Sequence, residues 1–124
     1  MEVLRRYVDS WVAGDIDALF ASYADDAVFH YFGTSDLAGD HHGKDAVLTA
    51  LITASSRAAR ELVAIVDVLA GDERGAIVAT ERLSRDGASH VVDRVFLYRV
   101  EGERIAECWL YEQDQALIDR LWAP

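Results

Sequence analysis

The chain has 124 residues, 52% hydrophobic and 27% charged, with 22 acidic against 12 basic side chains and a formal net charge of -10. That size suits one domain with its own core, and the acidic balance would repel a phosphate backbone, so nucleic acid is excluded as a partner. No apolar run approaches the roughly 20 residues of a membrane helix, and Glu2, Arg5, Arg6 and Asp9 put charge where a signal peptide would be apolar, so a cytoplasmic protein without a membrane partner is expected.

Leu4, Tyr7, Val8, Trp11 and Val12 recur at helical spacing and predict a first amphipathic helix, which Gly14 stops. Asp15 is placed to cap a second helix, with Ile16, Leu19, Phe20 and Tyr23 on one face, so the two form a helical hairpin. Asp25 and Asp26 break the period. Ala27 to Phe32, which carries His30, is aromatic and β-branched as a strand should be. Gly33 to Gly43, rich in glycine with Ser35, Asp36 and Asp40, reads as a loop. A third helix from Lys44 to Arg57 turns Val47, Leu48, Leu51 and Ile52 inward, and Arg57 and Arg60 read as its solvated exit.

From Leu62 the pattern becomes extended. Leu62 to Ala70, Ala76 to Ser84, Ser89 to Val100 and Arg104 to Glu112 are joined by short turns at Gly71 to Gly75, Asp86-Gly87 and Glu101-Gly102-Glu103, which predicts an antiparallel meander. Asp114 is placed to cap a last short helix through Trp122. With no linker, repeat or internal proline, residues 1–124 read as a single α+β domain with helices on one face of a sheet. Cys108, the sole cysteine, lies in an apolar strand and reads as a buried inert thiol. His30, His41, His42 and His90 with Asp36 and Asp40 lack a ligand spacing, so neither a metal nor another cofactor is expected.

The order of elements, with Val12 to Ala27 (VAGDIDALFASYADDA), His42-Gly43 before the third helix, and Arg104 to Gln115 (RIAECWLYEQDQ), resembles the nuclear transport factor 2-like fold. More narrowly it is similar to the SnoaL-like polyketide cyclase and ketosteroid isomerase group. The resemblance implies a cone: a curved, mixed, mainly antiparallel sheet with three helices from the N-terminal half enclosing an apolar pocket, and a short C-terminal helix. It implies an apolar small molecule as ligand.

In the isomerases of this group a base works beside an oxyanion hole in an apolar pocket. The first-helix tyrosine that donates to the enolate oxygen matches Tyr7 in RRYVDSW, and a supporting tyrosine matches Tyr23. The family's catalytic aspartate falls on Tyr31 or His30; as an imidazole with an ordinary pKa near 6.5, His30 is the candidate base if it faces the pocket. The isomerases' second acid falls near the apolar Phe96, and the cyclases' aspartate after the last-strand tryptophan is Leu110. The epoxide hydrolases' Asp-Arg-Asp set keeps only Arg82 of Thr80-Glu81-Arg82, since Ser84 and Leu110 stand where the aspartates would.

If Phe96 and Leu110 face the pocket, period two puts Arg94, Tyr98, Cys108 and Glu112 there too, with Trp109 and Tyr111 on the other face. Trp11, Phe20 and Tyr31 complete the expected lining, with Arg82 as a possible carboxylate holder. The outer aromatics predict a homodimer through Trp109 and Tyr111. Three functions follow as expectations: proton-transfer or ring-forming chemistry on an apolar carbonyl compound by His30, Tyr7 and Tyr23; binding of a hydrophobic ligand without turnover; and hydrolysis by Glu112 with Arg82.

Overall fold

A computed structural model describes residues 2–124. Helix α1 (Glu2–Ala13) and the short α2 (Ile16–Ala21) form the expected hairpin, with the Asp15 side chain accepting from the Ala18 amide at 3.1 Å as N-cap. Strand β1 (Tyr23–Tyr31), β2 (Gly39–His42), α3 (Lys44–Arg57), β3 (Ala59–Ala70), β4 (Arg74–Arg85), β5 (Ala88–Glu101), β6 (Arg104–Glu112) and α4 (Gln115–Leu121) follow. The six strands form one mixed sheet in the order β2-β1-β6-β5-β4-β3. Its pairs are antiparallel except β1 with β6, which is parallel.

Two turns of the meander use the chemistry their residues offer. Asp86 and Gly87, and likewise Gly102 and Glu103, adopt positive φ, the geometry of a tight hairpin turn that matches the twist of its strands. Period-two burial then runs along β4, where Gly75, Ile77, Ala79, Glu81 and Leu83 are buried and their neighbours are not. The helices cover that same face. Leu4 and Tyr7 from α1, Val47 and Ala50 from α3, and Leu117, Ile118 and Leu121 from α4 share one core with it. The Asp114 side chain caps α4 through the Leu117 amide at 3.0 Å, which sets Trp122 against the core.

Several local expectations are corrected. Tyr23 does not end α2: Ser22 caps that helix, its hydroxyl bonded to the Ala18 carbonyl, and Tyr23 opens β1 opposite Ile105. Asp25 and Asp26 lie within β1 rather than before it, exposed where the register against β6 shifts. The segment read as one loop contains β2, which exists because it pairs with the free edge of β1, Phe29 opposite His41 and Val28 opposite His42. Val12 and Ile52, expected inward, are 63% and 61% exposed.

Candidate functional site

Between the helices and the inner face of the sheet lies a cavity of about 530 Å³, a size typical of small-molecule sites. Its walls are mostly apolar: Trp11, Leu19, Phe20, Phe29, Leu51, Leu62, Phe96, Leu110 and Trp122 line it. Ile16 and Ile52 also line it while more than half exposed, so they mark its mouth. This is an apolar small-molecule pocket.

One polar group in it is a cluster of phenols. Tyr7 from α1 and Tyr23 from β1 meet hydroxyl to hydroxyl at 2.6 Å, both buried. Tyr98 from β5 packs edge-on against Tyr7 with ring centroids 5.5 Å apart, and Tyr31 lies further along β1. Burial raises the pKa of all four phenols, well above the ordinary value for Tyr23 and Tyr98. They therefore stay protonated at neutral pH and act as donors. Burial likewise pushes the Cys108 thiol up, so it is not a thiolate nucleophile.

The second polar group is a ladder of charges, one from each meander strand. Arg94 on β5 lies directly opposite Glu112 on β6 and grips it in a fork, Nε to Oε1 and Nη2 to Oε2, both at 2.7 Å. Its Nη1 donates to Glu81 Oε1 on β4 at 3.2 Å, and Arg60 on β3 donates through Nε to the other Glu81 oxygen at 2.5 Å. Arg94, Glu81 and Glu112 have 2%, 0% and 2% of their side chains exposed, whereas Arg60 keeps 29%. Aromatic faces cover the cations: the Arg60 guanidinium carbon stands 5.3 Å over Trp11, and that of Arg94 stands 5.7 Å over Trp122. Burial opposes the charge on Arg60, but the Glu81 carboxylate outweighs it and raises the Arg60 pKa.

Among the residues singled out in the sequence, the cavity wall includes Tyr7, Trp11, Phe20, Tyr23, Tyr31, Phe96, Tyr98, Cys108 and Leu110. His30 does not join them, and its expected role as base in the pocket is corrected. Strand alternation turns Phe29 and Tyr31 inward and His30 outward, where its ring stacks on Trp109. There Nδ1 bonds Asp40 at 2.6 Å and Nε2 bonds Glu107 at 2.5 Å.

Arg82 also faces away, paired with Glu61 at 3.2 Å, while Glu112 is on the inner face, committed to Arg94 and absent from the cavity wall, so the hydrolase pairing of Arg82 and Glu112 does not form. Arg60, read as a solvated exit, is instead part of the cavity wall, and Glu81 joins it there. The signal for both was available in period two: Arg60 shares the parity of Leu62, and Glu81 that of Ile77 and Leu83.

Known proteins agree with this architecture. An uncharacterized protein of Mycobacterium bovis is 29% identical over 126 residues, covering 99% of this chain and 95% of the relative. A Xanthomonas campestris protein of unknown function with a cystatin-like fold superposes with a TM-score of 0.90 at 22% identity, over 99% of this chain and 97% of its own. An NTF2-like protein of unknown function from Burkholderia pseudomallei does so at 0.84 and 22%, over 100% and 97%. Residues 4–108 match the profile of the SnoaL-like domain. With this sheet order, these helices and this pocket, the chain belongs to the SnoaL-like domain family and has the NTF2-like fold.

Proposed function

We propose that the protein binds an apolar carbonyl compound in the cavity and that Tyr7 and Tyr23 hold its oxygen. The observation that carries this is the phenol pair at 2.6 Å in an otherwise apolar wall. Two hydroxyls bring two protons, and their mutual hydrogen bond uses one. The other is free to donate to a ligand oxygen in a site too dry for water to compete well. A neutral hydrocarbon would leave that donor unanswered, which selects for a carbonyl.

A second reading, turnover by proton transfer as in isomerases or cyclases, is favoured by the same pair. Phenols held in a low-dielectric wall suit an enolate oxygen better than a ketone oxygen, and that difference is what lowers a barrier. With His30 outside the cavity, the carboxylate in its wall is Glu81, both of whose oxygens already accept from arginines. That engagement turns both oxygens toward cations rather than toward a ligand, so binding is the leading reading.

Calorimetric titration with 1-tetralone and with tetralin, which lacks the carbonyl, tests the first reading. The wild type is expected to prefer the ketone by about tenfold, and Tyr7→Phe/Tyr23→Phe to abolish the preference while still binding tetralin. No preference in the wild type refutes the assignment. Deuterium exchange at the ketone's α-carbon, followed by NMR in heavy water, separates the two readings: exchange above the buffer rate supports turnover, and a rate equal to buffer supports binding alone.

A further inference from the structure

We propose that the cavity is built for organic anions, apolar molecules ending in a carboxylate or an enolate, and that Arg60 receives the acid group. This rests on the cavity being a ligand site, and it adds the charge of the ligand and the residue that reads it.

The argument begins with what each arginine has left to give. Arg94 commits Nε, Nη1 and Nη2 to carboxylates and is shut off from solvent. Arg60 commits only Nε to Glu81, and among the described residues its terminal nitrogens make no hydrogen bond. Yet its guanidinium stands over Trp11 and, at 5.8 Å, over Phe96, both of which line the cavity. Aromatic faces thus hold a cation in the wall with its outer donor edge unspent. Such an edge is a planar fork that matches the two oxygens of a carboxylate.

The charges behind it agree. Along the sheet they run Arg60, Glu81, Arg94, Glu112; the first three line the cavity, so the ladder sums to zero while its lining part is positive, with Arg60 outermost. Glu112, the negative end, is absent from the lining. In a low-dielectric wall an alternating row attracts an anion at its positive end, because the nearest charge dominates. Tyr7 and Tyr31 line the same cavity as Arg60, and the Arg60 charge opposes the rise that burial gives both phenols. The chain's net charge of -10 opposes an anion, but salt screens exposed charges more than about 10 Å away, so the adjacent Arg60 outweighs them.

The test uses two fluorescent probes that differ by a sulfonate, 8-anilinonaphthalene-1-sulfonate and neutral N-phenyl-1-naphthylamine. Arg60→Gln removes the charge while keeping an amide donor for Glu81. It is expected to weaken the anionic probe by about tenfold or more and to move the neutral one by less than about twofold. Equal changes for both, or none for either, overturn the proposal while leaving the pocket standing. If neither probe binds the wild type, the pocket reading falls and takes the proposal with it. Should Arg60→Gln fail to fold, the wild type still decides. 1-Naphthoate should displace the neutral probe more strongly than 1-naphthalenemethanol does, with an advantage that shrinks as salt is added; equal displacement overturns the proposal.

Discussion

Replacing Arg94 with methionine tests the charge ladder most sharply. Methionine fills much of the arginine stem, so little packing is lost, but Glu112 loses both fork hydrogen bonds at 2% exposure and Glu81 keeps Arg60 alone. Removing one partner of a buried ion pair leaves an uncompensated charge and costs about 3–5 kcal/mol. For a domain of 124 residues, that corresponds to a fall in Tm on the order of 10–20 °C. Urea unfolding followed by circular dichroism measures the loss as a lower midpoint at unchanged slope. Arg94→Met/Glu112→Leu should recover most of it, because the stranded carboxylate is gone and an apolar pair replaces the ionic one. A single-variant loss below about 1 kcal/mol, or a double variant less stable than the single, would refute the reasoning.

The outer-face cluster should make stability pH-dependent. Burial lowers the His30 pKa, but the hydrogen bonds it donates to Asp40 and Glu107 and the charges of those carboxylates outweigh it and raise the pKa, while His30 in turn helps hold both carboxylates below their usual range. The stabilisation is fully present below His30's unfolded pKa of about 6.5, is lost as pH rises through the raised folded value, and is lost on the acid side as the carboxylates protonate below about pH 4. The stability gap between wild type and His30→Gln is therefore expected to be widest near pH 5.5 and to narrow toward pH 8. A gap that does not change with pH contradicts this, and so would weakened ligand binding by the variant, since His30 lies outside the cavity. Leu69, Val91 and Tyr111 are 52%, 55% and 47% exposed on the same outer face, which is where the homodimer expected from the sequence is to be tested. Sedimentation velocity across a dilution series is expected to show a dimer that Val91→Glu/Tyr111→Glu converts to monomer; a wild type that is monomeric throughout removes that expectation.

Local periodicity carried most of the fold. The stripe of α1, the whole of α3 and the strand Arg104–Glu112 were legible because each depends on how neighbours along the chain share one face. The same period placed Arg94, Phe96, Tyr98, Cys108 and Leu110 on a common side, which is most of one cavity wall. The family resemblance supplied Tyr7 and Tyr23 as a pair, although it put Tyr23 on a helix when it stands at the start of a strand.

What lay beyond the sequence was decided by partners far along the chain. Strand β2 is only Gly39–His42, opening on a glycine and an aspartate with little strand propensity, and it forms only because the edge of β1 offers hydrogen bonds. Arg60 looks solvated beside Arg57 because the adjacent Glu61 turns to the other face, where it pairs with Arg82; Glu81, 21 residues on, neutralises Arg60, and Arg94 and Glu112 extend the row. The side of the sheet on which His30 lies followed from register, a choice between two faces that a lone strand cannot make. Composition and period determined an apolar interior, and tertiary pairing decided which polar groups enter it, because a buried charge is tolerated only where another chain segment brings its counterion.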